Sequence, residues 1–362
     1  MDALLANRNN NFNLIRLLAC LQVMVLHTYN LYDVGENTLF LDVLWLFPGV
    51  IIFFSISGFL IAKSFDYSSP NSFCRKRILR IFPALTVNVF VTCLLLLYLG
   101  YATLNSDLLK FVLAQLTIFQ FYTPESLKGF AQGHHPNGAL WTISVELQFY
   151  ALYFAFARLL SWKKRDLFFK NSLVVVLIIL SCTINYLANR FLDGSTITYK
   201  LIFNSVFYNF SFFGVGILFY LNFSRAKKLF ANTFSIWATA LVAIICMIVY
   251  TNTSISRYSY NHLSFAYLLL LIFTVFSLAF SFKNLSNNIL GKIDISYGTY
   301  IYHVVIIHVF YNSGVSPNYF LLIYAASILC GTLSWFGIEQ YFLRKKDKLP
   351  PISWKAISPN KK

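Results

Sequence analysis

Long apolar stretches recur along this 362-residue chain with short polar gaps between them, and they constrain the fold more than any other feature. A helix of about 20 mostly apolar residues is long enough to cross a bilayer. In this chain 58% of the residues are hydrophobic and only 12% are charged. Such a composition excludes a soluble domain of this length and predicts an all-α, multi-pass integral membrane protein.

Hydropathy predicts about ten transmembrane helices. They cover residues 12–31, 40–62, 82–101, 139–159, 172–190, 199–221, 232–250, 262–281, 295–312 and 318–342. A shorter apolar piece at 111–122 is predicted to be interfacial or re-entrant. The N-terminus lacks the features of a cleavable signal, so the first stretch is expected to remain as a helix. We therefore expect one membrane domain over residues 1–343 and a basic, disordered cytoplasmic tail over residues 344–362.

The distribution of basic residues predicts the orientation. If the N-terminus is cytoplasmic, 24 of the 29 Lys and Arg residues fall in cytoplasmic segments and 5 fall in outer segments. This asymmetry follows the positive-inside rule and places both termini in the cytoplasm. The net charge of +16 then reflects loops that face anionic headgroups, so no nucleic-acid partner is predicted. The six scattered cysteines contain no Cys-x-x-Cys, and no metal site is predicted.

Ionisable residues inside apolar helices are the main functional candidates, because they are costly to bury in a bilayer. Arg16 and His27 are eleven residues apart in the first span, about 20° apart around the helix and about 16 Å along it. They therefore form one polar stripe. The alternative is that Arg16 snorkels to the interface and His27 is a core histidine bonded to a backbone carbonyl.

Glu146 is predicted to lie about 10 Å below the outer end of its span, at a depth similar to that of His27. A carboxylate that orients a histidine is a recurring general-base arrangement, although a structural glutamate is the alternative. His303 lies in the middle of a later span and is predicted to line the same cavity. His308 is predicted to be a packing residue, and Asp294 is near a helix end, within reach of water.

An arginine cluster precedes the apolar part of the third span. Arg77 and Arg80 are three residues apart and share a helix face, with Arg75 beside them. Ordinary anchoring at the membrane surface explains such a cluster without a ligand. However, Arg side chains also bind phosphate oxygens in bidentate fashion, which favours a phosphate-bearing cytoplasmic ligand. The chain has no Walker loop, so a P-loop nucleotide site is not predicted.

Taken together, these segments resemble the membrane-bound acyltransferase-three family, which includes bacterial O-acetyltransferases of O-antigen and other surface glycans. The resemblance covers almost the whole chain. It rests on Arg16 with His27, "FFSISGFLI" (53–61), "RKRILRIFPAL" (75–85), "NGALWTISVELQFY" (137–150) and "ISYGTYIYHVVIIH" (295–308). Gly298 departs from the family pattern, because a bulkier residue is more usual at that position.

The resemblance implies a bacterial inner-membrane enzyme that moves an acyl group, usually acetyl, from cytoplasmic acetyl-CoA to a sugar hydroxyl. Its acceptor would be a glycan or a lipid-linked glycan, and its remaining partner membrane lipid. The implied catalytic residues are His27 as general base, Glu146 and Arg16. The implied CoA-binding residues are Arg75, Arg77 and Arg80, and the implied substrate pocket comprises Ser57, Trp141, Tyr302 and His303.

Two other classes of function are compatible with parts of this pattern. A transporter or flippase for a lipid-linked glycan or a small anion would also use a buried His and Glu with a cytoplasmic Arg cluster. No inverted repeat or pair of broken helices supports that class. A glycan polymerase is expected to carry large, Arg-rich outer loops, which this chain lacks. The sequence does not identify the acceptor or the oligomeric state.

Overall fold

The computed structural model describes residues 10–34, 38–160, 162–251, 253, 255, 262–291 and 293–345, and these residues contain helices and turns but no strand. The predicted all-α class is confirmed. The helices are α1 (Phe12–Tyr32), α2 (Leu39–Trp45), α3 (Gly49–Asp66), α4 (Pro70–Tyr98), α5 (Ser106–Gln115), α6 (Trp141–Leu159), α7 (Leu167–Phe191), α8 (Ile197–Phe203), α9 (Val206–Leu221), α10 (Phe223–Phe230), α11 (Phe234–Tyr250), α12 (His262–Phe280), α13 (Leu285–Leu290), α14 (Ser296–Asn312), α15 (Phe320–Ser334) and α16 (Gln340–Lys345).

The long helices lie where the hydropathy predicted spans. In the described part of the chain, 8 helical segments are long and apolar enough to cross a membrane, or 9 if α10 and α11, bent by 72°, count as one broken span. The remaining predicted span corresponds to α14, which has 17 residues. The protein is thus multi-pass, and the count of ten and the orientation stay predictions. Of the predicted tail, residues 346–362 lie outside the described residues.

Helix α4 begins earlier than its apolar pattern indicated. The backbone N–H of Ser72 donates to the side-chain oxygen of Ser69 (3.3 Å), which caps the helix, and Pro70 occupies the first turn. Both residues favour helix starts, because the cap accepts from an otherwise unpaired N–H and proline needs no N–H there. The early start places the whole arginine cluster on a regular helix, as the predicted shared face of Arg77 and Arg80 requires.

Glycines let two pairs of helices approach closely. Gly58 of α3 and Gly216 of α9 each face the backbone of the other helix, at Phe213 and Ser55. Between α14 and α15, Gly298 faces the carbonyl oxygen of Gly331. A larger residue at position 298 would overlap that carbonyl. The departure of Gly298 from the family pattern therefore has a packing reason, because small residues allow close contact between membrane helices.

We expect Gly58→Ala to destabilise the fold, because a Cβ atom at this position would overlap the carbonyl oxygen of Phe213. Overpacking of this kind typically costs about 1–3 kcal/mol. The midpoint of thermal unfolding in detergent measures the effect. Gly337→Ala is the matched control, since no heavy atom lies within 4 Å of a Cβ atom there. Equal midpoints for the two variants would contradict this account of the packing.

Helix α1 packs against α3 and α14, so residues of the first helix meet residues of the last third of the chain. A buried amide network also holds α14 in place. Asn88 and Asn137 both donate to the carbonyl oxygen of Ile301, at 2.9 and 2.8 Å, and Asn137 also donates to Asn88 (3.0 Å). The network joins α4, the segment before α6, and α14 two residues before His303. Its hydrogen bonds fix the register of α14 beside α4.

Candidate active site

Two arginines from different helices converge on one carboxylate near the start of α14. The guanidinium groups of Arg16 and Arg80 lie 2.8 and 2.6 Å from the same oxygen of Asp294. The other oxygen of Asp294 accepts a hydrogen bond from Ser296 (2.6 Å). We call Arg16, Arg80 and Asp294 the arginine centre. Its formal charge is positive, because one carboxylate neutralises only one of the two guanidinium groups.

Asp294 does not reach water as expected from its place near a helix end, since only 6% of the residue is exposed. Burial raises the pKa of its carboxyl group, but Arg16 and Arg80 outweigh this effect and hold the pKa well below its usual range. The carboxylate is therefore ionised at neutral pH. No role was predicted for Asp294, because a single acidic residue between two helices does not indicate which basic residues will pair with it.

The other arginines of the cluster lie among aromatic rings. The guanidinium carbon of Arg77 lies 5.5 Å from the ring centres of both Phe73 and Tyr150. The Nε atom of Arg77 is buried and has no hydrogen-bond partner among the described residues. Arg75 is half-buried on the same helix. The three predicted phosphate-binding residues therefore lie on one helix, but only Arg80 is part of the arginine centre.

A small cavity begins at Arg16, and we call it the Arg16 cavity. Its volume is about 40 Å³, and its polar lining includes Ser57, Glu146, Thr142 and Tyr300. Glu146 accepts hydrogen bonds from Ser57 (3.4 Å) and from the Tyr150 hydroxyl. Glu146 and Ser57 both line this cavity, which is compatible with their predicted places in the active site and the substrate pocket. The orientation of His27 by Glu146 stays a prediction.

His27 pairs instead with His303. The Nδ1 atom of His27 lies 2.9 Å from Nε2 of His303, and the two rings are nearly parallel, at 11°. The Nδ1 atom of His303 lies 2.6 Å from the carbonyl oxygen of Tyr300. This carbonyl can only accept, so Nδ1 of His303 carries a proton, and Nε2 of a neutral His303 must accept.

The tautomer of His27 follows from this chain of hydrogen bonds. If Nε2 of His303 accepts, then Nδ1 of His27 carries the proton and donates it to that bond. The lone pair of His27 is then on Nε2, the form that a general base requires. His303 is thus placed to orient His27, the role that the sequence suggested for Glu146. Their separation of 276 residues explains why no local pattern indicated the pair.

A larger cavity opens on the other side of His27. Its volume is about 430 Å³, and we call it the histidine cavity. It is lined by His27, Asn30, Leu31, Gln132, His134, His135, Gly138, Val304, Ile307 and His308. His308, predicted only to pack, lies in this lining. Across the described residues, no cluster of three or more His, Cys, Asp or Glu side chains is arranged to hold a metal ion.

Three of the four predicted pocket residues, Trp141, Tyr302 and His303, line neither of these cavities. Trp141 packs against Phe54 and Phe203, with ring centres 6.4 and 5.0 Å apart. Tyr302 is half-buried and packs against the core. Glu339 is only 2% exposed and ends a π-helical turn, Trp335–Glu339. Only Ser57 of the predicted pocket therefore lines a cavity, whereas His303 is buried and contacts His27.

The chain is similar to a known domain family and to two known proteins. A family model described as an acyltransferase domain matches residues 9–338. The chain is 32% identical over 361 residues to Nodulation protein 10 of Rhizobium leguminosarum bv. viciae, with 95% of this chain and 96% of that protein covered. It is 26% identical over 353 residues to an O-acetyl transferase of Shigella phage Sf6, with 94% and 97% covered. No solved structure matches.

Proposed function

The chain belongs to the acyltransferase-three family, as the domain match and the Rhizobium relative show, and from this premise we propose a specific reaction. The proposed reaction is O-acetylation: an acetyl group moves from cytoplasmic acetyl-CoA to a sugar hydroxyl of a cell-surface glycan or its lipid-linked precursor. The membrane would be the bacterial inner membrane. The phage relative is named an O-acetyl transferase, which supports O-acetylation over other acyl transfers.

The observation that carries the proposal is the order of sites along α1. Arg16 belongs to the arginine centre and also lines the Arg16 cavity, whereas His27 lines the histidine cavity. Tyr300 lies between them, because it lines the Arg16 cavity and its ring centre is 5.5 Å from that of His303. This order supports a donor that approaches from the arginine end and an acceptor that approaches from the histidine end.

Two observations support binding of the CoA phosphates near the arginine centre. Asp294 neutralises only one of the guanidinium groups of Arg16 and Arg80. In addition, the buried Nε of Arg77 has no described hydrogen-bond partner, which is costly unless a ligand or water supplies one. Guanidinium groups bind phosphate oxygens through strong, charge-assisted bonds. The Arg16 cavity must widen before a thioester arm can enter, because about 40 Å³ is little more than one water molecule occupies.

The proposed chemistry is a direct acyl transfer. Nε2 of His27 takes the proton from the sugar hydroxyl as its oxygen attacks the thioester carbonyl. A carbon–oxygen bond forms, the carbon–sulfur bond breaks, and the proton leaves with the CoA thiol. The hydroxyl of Tyr300, which lies 2.9 Å from that of Thr142 in the lining of the Arg16 cavity, would turn from Thr142 and donate to the developing oxyanion. His303 keeps His27 in the reactive tautomer throughout.

Release of free CoA by the purified protein tests this function. The protein in lipid nanodiscs would receive acetyl-CoA and surface glycan extracted from cells of the source bacterium that lack it. We expect release of thiol only when both substrates are present, together with a glycan heavier by one acetyl group. A flippase would move the glycan and release no CoA. Absence of CoA release with active transport would therefore overturn the proposal in favour of that class.

We expect Arg77→Ala to raise KM for acetyl-CoA by roughly 10- to 100-fold, because hydrogen bonds to charged groups are worth about 1.5–3 kcal/mol. The KM for the glycan should stay unchanged. Steady-state CoA release at varied donor and acceptor concentrations measures both constants. Lys164→Ala, which removes an exposed positive charge, is the control. An equal change in both variants would show that only general surface charge is involved.

A further inference from the structure

The histidine cavity offers hydrogen-bonding groups that the described structure leaves unused, and this inference rests on the proposed function. His308 is 5% exposed, and its ring lies against Phe130, with ring centres 5.6 Å apart. Its Nδ1 atom is buried and has no hydrogen-bond partner among the described residues. Buried polar atoms are nearly always satisfied, so a ligand or water is expected to bond to this nitrogen.

The segment that contains Gln132 and His135 forms the wall of the cavity opposite α14. Gln132 and Gly133 both have positive φ, at 52° and 89°, so the chain reverses at the edge of the cavity. Asn312 donates to the carbonyl oxygen of Phe130 (2.8 Å), which ties this segment to α14. On the same segment, His135 is held by a hydrogen bond between its Nδ1 and Thr123 (2.8 Å). The lining side chains are thus positioned by contacts outside the cavity.

The composition of the lining indicates the class of ligand. Amide and imidazole groups from Asn30, Gln132 and several histidines alternate with Leu31, Val304 and Ile307, and none of the described lining residues is Lys, Arg, Asp or Glu. Burial, followed by the nearby charge of Lys128, lowers the pKa of His135, so its imidazole is neutral at neutral pH. Such a lining suits hydroxyl groups and apolar ring faces, and it offers no fixed cation to a phosphate or carboxylate.

We propose that the histidine cavity binds one uncharged sugar residue of the acceptor and presents its hydroxyl to His27. The volume of about 430 Å³ lies within the range of small-molecule pockets. The phosphates of the donor require cations, and those lie at the other end of α1. Donor and acceptor therefore enter from opposite ends of one helix and meet at the histidine pair. In this arrangement, His308 and Gln132 bind the sugar and do not take part in proton transfer.

Blocking the cavity from its rim tests this inference. Gln132→Cys would be treated with a membrane-impermeant, cationic thiol reagent, and acetylation would be measured with acetyl-CoA and the extracted, unacetylated glycan. We expect at least a tenfold loss of kcat/KM for the glycan after treatment. The KM for acetyl-CoA should not change. Ser126→Cys, exposed on the same outer segment and absent from the lining, is the matched control, and treated wild type accounts for the six native cysteines.

A second variant tests the buried wall of the cavity. His308→Gln keeps a hydrogen-bonding side chain but moves its polar atoms, so we expect a raised KM for the glycan with little change in kcat. Methyl glucoside or methyl galactoside should inhibit transfer to the glycan competitively, and methyl glucuronide should inhibit it much less. Stronger inhibition by the glucuronide would overturn the assignment to an uncharged sugar.

The outcomes separate this inference from the proposed function. If wild-type protein releases no CoA with both substrates, the function itself fails. If wild-type protein is active but blocked Gln132→Cys and His308→Gln both keep a normal KM for the glycan, the function stands and the acceptor site is elsewhere. A change in the KM for acetyl-CoA alone would assign the cavity to the donor and would also overturn the inference.

Discussion

Replacement of His27 by alanine is expected to lower kcat by roughly 100- to 10,000-fold, which is the usual contribution of a general base. The reason is structural: Nδ1 of His27 is 2.9 Å from His303, and the tautomer set by this bond leaves the lone pair on Nε2. The variant should insert into the membrane normally, because His27 is only half-buried. CoA release at saturating substrates, with membrane content measured by immunoblot, checks the result. Wild-type turnover in the variant would rule out His27 as the base.

A second prediction is that His303 positions His27 for proton transfer. His303→Ala removes the acceptor for Nδ1 of His27, so we expect a lower kcat and a shifted pH profile with unchanged KM values. His303→Gln supplies a side-chain oxygen as acceptor and should restore part of the rate. A residue that only fills space would respond to the two substitutions in the same way. The comparison of alanine with glutamine therefore separates positioning of His27 from simple packing.

Asp294→Ala should produce the largest loss of stability. It would leave the guanidinium groups of Arg16 and Arg80 without the carboxylate that lies 2.8 and 2.6 Å from them. Loss of one partner of a buried ion pair typically costs about 3–5 kcal/mol, because the remaining charge is left uncompensated. The midpoint of chemical unfolding in mixed micelles measures this cost. Asp107→Ala removes the half-buried partner of the exposed Lys110, an ion pair that water screens, and should change the midpoint little.

The contribution of Asp294 to the stability of the fold should decrease at acidic pH. Its pKa in the folded protein lies below the ordinary value of about 3.9, so its contribution to stability is complete above that value. The contribution is lost as the pH falls toward the folded-state pKa. Asp294→Asn cannot ionise, so it should be less stable at neutral pH and should lose less of its stability on acidification. An identical acid dependence in wild type and Asp294→Asn would contradict the role of this carboxylate.

The sequence predicted the helices and several residues of the candidate site, because both leave local signals. Apolar length identifies membrane helices, and an ionisable side chain within such a helix stands out against its neighbours. Arg16, His27 and His303 were predicted in this way, and Arg80 through its spacing from Arg77. All four take part in the three contacts that define the candidate site.

The partners of these residues could not be predicted, because helix order along the chain does not give helix neighbours in space. Depth matching paired His27 with Glu146, whereas the hydrogen bond described for His27 is to His303 of α14. No role was predicted for Asp294, because a helix end is usually accessible to water. Asn88 and Asn137 carry no charge, so no local signal indicated that their hydrogen bonds position α14.

Both sets of contacts join the first helix to the last third of the chain, at separations of 278 residues for Arg16 with Asp294 and 276 for His27 with His303. During synthesis, α1 enters the membrane long before either partner has been translated. Arg16 and His27 therefore enter the bilayer without their partners. The insertion machinery or lipid headgroups must stabilise these two side chains until α14 has been synthesised. Catalytic competence can arise only when α14 docks, so a chain arrested before that helix would occupy the membrane without activity.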